Sequence, residues 1–425
     1  MQRETKAFSR RDFMKTSATA TAAAASSAAL FNALGTNFAH AQGSDLIKVG
    51  VVGCGGRGSG AAGNVLEGAQ IAGAKAEIYA VGDVFEGSAK GLAGKHNVQR
   101  ERVFAGLDNY KEVIGSGVDM VILATPPGFR PRHFKAAIDA GKHVFFEKPV
   151  AVDPVGVRIV LEASEQASQK SLAVVTGTQR RHETNYTETI KRIHDGAIGD
   201  VLHMSVYWNG GGIWSRPRKP GQSDAEYQIN NWYHYIWLCG DQICEQHIHN
   251  LDVANWVMNS HPISAYGMGG RQVRKEPGQI WDHFAIEYVY PNDRRVMSMC
   301  RHWGQSDDRV SEFAIGTKGT SNPGGWIRTN DGKRETFKNE RSGYVQEHAD
   351  LIKSMIDGKP LNEGKQVAYS TLTAIMGRES AYTGREIKWD QALNGTLDTF
   401  PKDLTLQSQL PEPPVPMPDK YDWKA

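Results

Sequence analysis

The feature that most constrains the fold is a short β-branched run, Leu46-Ile47-Lys48-Val49-Gly50-Val51-Val52, which passes without a spacer into Gly53-Cys54-Gly55-Gly56-Arg57-Gly58. Glycines at 53, 55 and 58 satisfy G-x-G-x-x-G, and residues 59–67 can form the helix that follows. A strand, a glycine turn and a helix in that order open a doubly wound parallel sheet, and the helix N-terminal N–H groups can receive a pyrophosphate. The first glycine permits the turn, the second lets backbone approach the phosphates, and the third allows close helix–strand packing. A second strand over residues 76–82 ends at Asp83. An acid there accepts hydrogen bonds from the adenosine ribose and repels a 2′-phosphate, so NAD is expected rather than NADP. The expected cofactor set on this side is Gly53, Gly55, Gly56, Arg57, Gly58 and Asp83. Strands at 119–124 and 143–146, separated by a helical stretch at 134–140, continue the α/β alternation.

A chain of 425 residues has room for two or three domains. Its 49 Lys+Arg against 47 Asp+Glu argue against a basic face for nucleic acid. Part of that balance belongs to residues 1–41, which resemble a twin-arginine export signal. Ser9-Arg10-Arg11-Asp12-Phe13-Met14-Lys15 carries the arginine pair, a weakly apolar Ala/Ser/Thr stretch follows, and Ala39-His40-Ala41 is a cleavage-like site. The resemblance implies a periplasmic protein exported already folded. No later apolar run reaches the roughly 18 residues of a membrane span, so no membrane insertion is expected after signal removal. Without residues 1–41 the charges are 44 against 45, which points to a small, uncharged, polar partner.

Two further turns close strands: Ala124-Thr125-Pro126-Pro127 and Glu147-Lys148-Pro149. With the glycine turn, these resemble the glucose-fructose oxidoreductase/inositol dehydrogenase (Gfo/Idh/MocA) family. The resemblance continues through Gln179-Arg180-Arg181-His182, Ile198-Gly199-Asp200 and Gly316-Thr317-Lys318-Gly319, and covers residues of about 45–390. It implies that Thr125, Pro126, Glu147 and Lys148 line the nicotinamide end, and that Lys148 also contacts the substrate hydroxyl or assists proton transfer. Burial favours the neutral amine that such a task needs. The implied architecture is α/β: a Rossmann domain at 45–178, then an α+β domain at 179–403 with a mainly antiparallel open sheet. Strand-like runs at 201–209, 285–290 and 295–299 belong to that sheet. A helix at about 365–383 is expected to pack back on the first domain, and residues 404–425 form a Pro-rich tail, either disordered or laid on another subunit.

On the substrate side stands Glu245-Gln246-His247-Ile248-His249-Asn250-Leu251-Asp252. Read as one helix, this puts Glu245, His249 and Asp252 at i, i+4 and i+7, on a single face. The family commonly shows D-x-G-x-H-x-x-D here, which makes His249 the acid/base partner of Lys148. Glu245 stands in the place of the shorter Asp and is expected to join Lys148 and His249 as a catalytic residue, and His247 stands where a small residue is usual. His247 and His249 point apart on a helix, so no metal is expected. Segments that the family places around its substrate supply Arg181, Tyr186, Trp208, Asn209, Asn231, Trp232, Tyr233 and His234. The expected substrate contacts are Arg181, Tyr186, Trp232 and His249. Cys239 and Cys244 are close enough to bridge, though buried free thiols are expected. The implied activity is hydride transfer between a sugar, glycoside or polyol hydroxyl and tightly bound NAD, with the cofactor recycled on the enzyme. NAD-dependent glycoside hydrolysis and a non-catalytic, NAD-containing sugar-binding protein are the alternatives. A homo-oligomer is expected, since open sheets in this family pair face to face.

Overall fold

The computed structural model describes residues 46–423. The expected signal at 1–41 lies outside the described residues.

Strands β1 (Leu46–Val52), β2 (Lys75–Asp83), β3 (Val103–Ala105), β4 (Met120–Leu123), β5 (His143–Phe146) and β6 (Val174–Thr176) form a parallel sheet. Its order is β3-β2-β1-β4-β5-β6. Helices cover both faces, so the strands read as continuous apolar runs, and alternate residues feed two cores. Val49, Ile122 and Phe145 pack with the helix Gly56–Ile71 on one face. Leu123, Val144 and Phe146 pack with Phe134 and Val157 on the other. Each fully buried side chain of this size contributes roughly 1.5–3 kcal/mol. The strand order reverses between β1 and β4, which opens a crevice at their carboxyl ends.

The second sheet contains β7 (Val201–Gly210), β8 (Ser264–Gly270), β9 (His283–Val289), β10 (Arg295–His302), β11 (Arg309–Gly316), β12 (Gly319–Asn322), β13 (Trp326–Thr329), β14 (Arg334–Thr336) and β15 (Ile387–Lys388). Its order is β14-β13-β12-β11-β7-β10-β9-β8-β15, antiparallel except where β7 meets β10. Residues alternate strictly in β9, with Phe284, Ile286 and Tyr288 turned into the core. Helices Ile248–Met258 and Gly364–Thr383 join that core on the inner face.

Two late helices return to the nucleotide sheet. Helix Gly343–Ile356 crosses Gly56–Ile71 so closely that a Cβ on Gly68 would lie 2.8 Å from the Ala349 nitrogen. Helix Gly364–Thr383 is tied to the strand-end loop by Arg378 Nη1 donating to the Val152 carbonyl at 2.8 Å. The Pro-rich tail packs on its own chain and is not a free end. Trp281 Nε1 donates to the Pro416 carbonyl at 3.1 Å, and Tyr421 packs edge-on against Tyr382, so the tail lies on its own chain. All four cysteines are free and buried, and burial pushes the Cys244 thiol up to about 12.

Candidate active site

The nucleotide wall is built almost entirely of main chain. Gly53 has a φ of 92°, a conformation that favours glycine, and its N–H donates to the Gly82 carbonyl at 2.8 Å. A Cβ on Gly58 would sit 1.8 Å from the Gly53 carbonyl oxygen, so only glycine lets the helix start so close to the strand. At Gly55 and Gly56, by contrast, nothing lies within 4 Å of an added Cβ. That opening faces the first turn of the helix, whose leading N–H groups have no intrahelical partners. Asp83 is tied to the same turn: its Oδ2 accepts from the Cys54 N–H at 2.7 Å and its Oδ1 from the Phe85 N–H at 2.8 Å. Burial pushes the Asp83 carboxyl above the usual range, and these two N–H groups pull it back.

Arg57 turns sideways from the opening. Its guanidinium pairs with Glu147 and, at 3.1 Å, with Glu347, and stacks over the ring of Tyr344. It therefore ties the glycine turn to the strand β5 exit. Thr125 is buried, with its hydroxyl 3.3 Å from His133 Nδ1, and Pro126 begins the single turn Pro127–Phe129. Glu147 lies against Gly177, where a Cβ would come within 2.4 Å of its carboxylate.

The opposite wall is built of side chains. Lys148, at the carboxyl end of β5 and joined to Pro149 by a cis peptide, is buried. Its Nζ donates to Glu245 Oε1 at 3.0 Å and to the backbone carbonyl of Glu245. That second bond overturns the single helical face expected for Glu245, His249 and Asp252. The Glu245 carbonyl is taken by the lysine, so the His249 N–H bonds instead to the Gln246 carbonyl at 3.3 Å. The helix consequently breaks into Gln242–Glu245 and Ile248–Met258. Glu245 faces Lys148, His249 stacks on Trp208 at 5.7 Å, and Asp252 forms a two-pronged pair with Arg181 at 2.8 and 2.9 Å.

Three expected substrate residues are committed elsewhere. Arg181 is bound by Asp252 and lies over Trp256, so it fastens the helix rather than reaching a ligand. The Tyr186 hydroxyl donates to Glu312 Oε2 at 3.2 Å, within a buried network that includes Arg180 and Asn250. Trp232 packs edge-on against Trp214 and beside Tyr233, at the rim. The residue that the expected set omits is Tyr233. Its hydroxyl is buried and meets no atom in good hydrogen-bond geometry; after burial itself, the Glu245 carboxylate beside it, close enough for a loose hydrogen bond, helps to hold its pKa well above the ordinary value. The dense aromatic run 230–237 signalled the region, but nothing in the run distinguished Tyr233 from Trp232.

Glu245 Oε2 and His249 Nδ1 are likewise buried and meet no atom in good hydrogen-bond geometry. Buried polar atoms in native proteins normally find partners, so a group of three points to a ligand that brings hydroxyls. Burial, then the Lys148 and Arg180 cations, drive the His249 pKa well below its ordinary value, so its ring is neutral. His247 is bound to Ser298 Oγ at 2.7 Å and is pushed down to about 3 by burial. Among the described residues no group of three His, Cys, Asp or Glu side chains is arranged to hold a metal.

A family model described as the oxidoreductase family with an NAD-binding Rossmann fold, GFO_IDH_MocA, matches residues 47–176, and a model of the GFO/IDH/MocA C-terminal domain matches residues 186–321. The chain belongs to the Gfo/Idh/MocA family. An inositol 2-dehydrogenase of Rhizobium meliloti is 24% identical over 232 residues, 55% of this chain and 62% of that relative. Inositol 2-dehydrogenase 4 of Saccharopolyspora erythraea is 35% identical over 159 residues, 37% of this chain and 44% of that one. The Gfo/Idh/MocA chain thus spans less than two thirds of these curated relatives. Among solved structures, scyllo-inositol dehydrogenase from Lactobacillus casei, with bound NAD(H) and scyllo-inositol, superposes with a TM-score of 0.63 at 19% identity. That match covers 81% of this chain and 99% of the other. A probable dehydrogenase from Thermotoga maritima gives 0.61 at 18%, covering 81% and 100%. These likenesses establish the shared fold. The Rossmann domain of this Gfo/Idh/MocA chain fits a dinucleotide on its own geometry: an open glycine turn at a helix start, and a strand-end carboxylate.

Proposed function

We propose that this chain is an NAD-dependent oxidoreductase that moves hydride between a sugar or polyol hydroxyl and the nicotinamide. One observation carries the reading: Lys148 Nζ and Glu245 stand with three buried polar atoms that no protein group meets in good hydrogen-bond geometry, Tyr233 Oη, Glu245 Oε2 and His249 Nδ1. Lys148 follows the carboxyl end of β5 next to Glu147, which pairs with Arg57 of the glycine turn, so Lys148 and Glu245 stand beside that turn. Gly53, Gly55, Gly56, Gly58 and Asp83 would hold the dinucleotide, with Thr125 and Pro126 toward its nicotinamide end.

When bound, the nicotinamide supplies the hydride acceptor. The chain supplies the proton path and the orientation. Lys148 Nζ, held by Glu245 Oε1 at 3.0 Å, is placed to donate to the reacting oxygen, and the neutral His249 is placed to take the proton that leaves it. Tyr233 Oη orients a neighbouring hydroxyl, and the Trp208 face beside His249 suits the apolar side of a sugar ring. A general base of this kind contributes on the order of 10²–10⁴-fold.

The arginine pair at residues 10 and 11 supports export to the periplasm, where a soluble nicotinamide pool is not expected. Hence the cofactor travels inside and is recycled on the enzyme. The exposed outer face of the second sheet supports a homo-oligomer, because Met268 and Met299 flank Ala285 in register with Tyr266 nearby. Stopped-flow absorbance of NADH after mixing the NAD-loaded protein with a panel of sugars and polyols tests the activity. Silence across the panel, with NAD bound, would leave a sugar-binding protein instead. Release of the chromophore from a chromogenic glycoside without NADH accumulating would shift the reading to NAD-dependent hydrolysis.

A further inference from the structure

The course of the C-terminal segment crosses both domains. Thr399 donates through its N–H and its hydroxyl to Asp153 Oδ2, at 2.9 and 2.7 Å, and Asp153 also caps the helix Pro154–Gln169 of the nucleotide domain. Phe400 then enters between the domains. Its ring meets Phe129 at 5.3 Å and Trp237 at 5.7 Å, both edge to face, with the Arg132 guanidinium 3.7 Å from its centroid. Phe129 and Arg132 follow the Pro126-Pro127 turn of the nucleotide sheet, whereas Trp237 lies in the second domain.

Leu404, Leu406 and Leu410 continue the same apolar cluster, which includes Val84, Phe85 and Leu107 from one side and Tyr227 and Tyr235 from the other. The helix Asp224–Asn230 then holds the segment: Gln228 Nε2 donates to the Leu410 carbonyl at 2.8 Å, and the Leu410 N–H donates to Asp224 Oδ2 at 3.1 Å. Val84 and Phe85 directly follow Asp83, and Phe129 closes the turn opened by Pro126. The segment therefore packs with the loop that follows Asp83, at the adenosine end of the glycine-turn crevice, and with the turn that follows Pro126, toward its nicotinamide end.

We propose that residues 399–410 are a strap that closes the adenosine end of the nucleotide crevice and keeps the dinucleotide on the enzyme through repeated turnovers. The inference rests on the NAD reading above. A ligand whose exit lies beneath a segment held on two sides leaves no faster than that segment opens. The strap is anchored at Thr399 and again at Leu410, and between them a cavity of about 250 Å³ lies beneath Phe400–Leu404, against Leu107, Tyr110 and His133. Loose packing there and hydrogen bonds at the ends make the middle the part that opens.

The test uses the full-length protein loaded with NADH and chased with excess NAD, following the loss of energy transfer from tryptophan to the nicotinamide. The double variant Phe400→Ser, Leu404→Ser leaves both anchors in place and, measured at a temperature where its melt shows it folded, is expected to release NADH at least tenfold faster. Thr399→Val removes one anchor bond and is expected to speed release about threefold; it decides the question should the double variant not fold. Release within twofold of the parent rate would overturn the strap alone. A parent protein that binds no NADH would overturn the NAD reading, and the strap with it.

Discussion

One turn, Gly53–Gly58, delivers nearly the whole floor of the nucleotide wall, whereas the wall opposite gathers Lys148, Trp208, Tyr233, Glu245 and His249 from separate segments. The first wall works through backbone N–H groups and the absence of side chains, so its requirements are local: a strand, glycines at fixed offsets and a helix start. The second works through side-chain atoms whose directions depend on contacts between residues up to 97 positions apart, as in the Lys148–Glu245 pair. A change in the first wall should therefore act on cofactor affinity and folding, and one in the second on turnover.

The sharpest separation is expected from Lys148→Ala. Turnover should fall about 10³-fold while NADH affinity stays within about threefold, as read by stopped-flow absorbance and fluorescence titration. Unchanged turnover would remove Lys148 from the mechanism and dissolve the contrast.

The joint between the walls provides the next effect. His182 is buried between Asp350 Oδ2 at 2.7 Å and Glu363 Oε1 at 3.1 Å, with Glu347 close by, and these carboxylates raise its pKa to about 10 against the cost of burial. Because the folded-state value is raised, its contribution to stability is fully present below the ordinary histidine value of about 6.5 and is lost as pH climbs toward 10. Denaturant melts across that window should lose roughly 2–4 kcal/mol in the parent, and His182→Gln should flatten the slope. A parallel slope in the variant would assign the loss to other groups.

Gly58→Ala tests the backbone wall. An added Cβ 1.8 Å from the Gly53 oxygen forces strand and helix apart, at a cost of about 2 kcal/mol in stability together with a large loss of NADH affinity. A calorimetric melt and a titration would show both, and retention of affinity would mean that the turn tolerates a side chain. The mildest change is Tyr233→Phe. The hydroxyl has only a loose contact with Glu245 to lose, so stability should change little, while KM should rise about tenfold, the worth of one substrate hydrogen bond. An unchanged KM would place Tyr233 outside the pocket.

Much of the first wall was legible in the chain. The run into Gly53, the strand ending at Asp83 and the turns at Thr125 and Glu147 all depend on neighbours within a few residues. Less of the second wall was legible. Helical spacing placed Glu245, His249 and Asp252 on one face, but the lysine from a distant strand end captures the Glu245 carbonyl and interrupts the helix. Arg181 looked available for a ligand, and Asp252 claims it. Trp232 and Tyr233 are adjacent and equally plausible as sequence, yet only the latter turns toward Glu245.

The sequence by itself determined the alternating strands and helices, the glycine geometry at 53 and 58 and the acid at 83, because backbone dihedrals and apolar periodicity are set locally. Tertiary structure alone decided which polar side chains find partners and which are left facing the crevice. It also decided that the C-terminal segment runs from Asp153 at Thr399 across Phe129 and Trp237 at Phe400 rather than away from the molecule. Those outcomes depend on pairings between distant segments, and such pairings are settled by competition among all the donors, acceptors and apolar faces that the fold brings together.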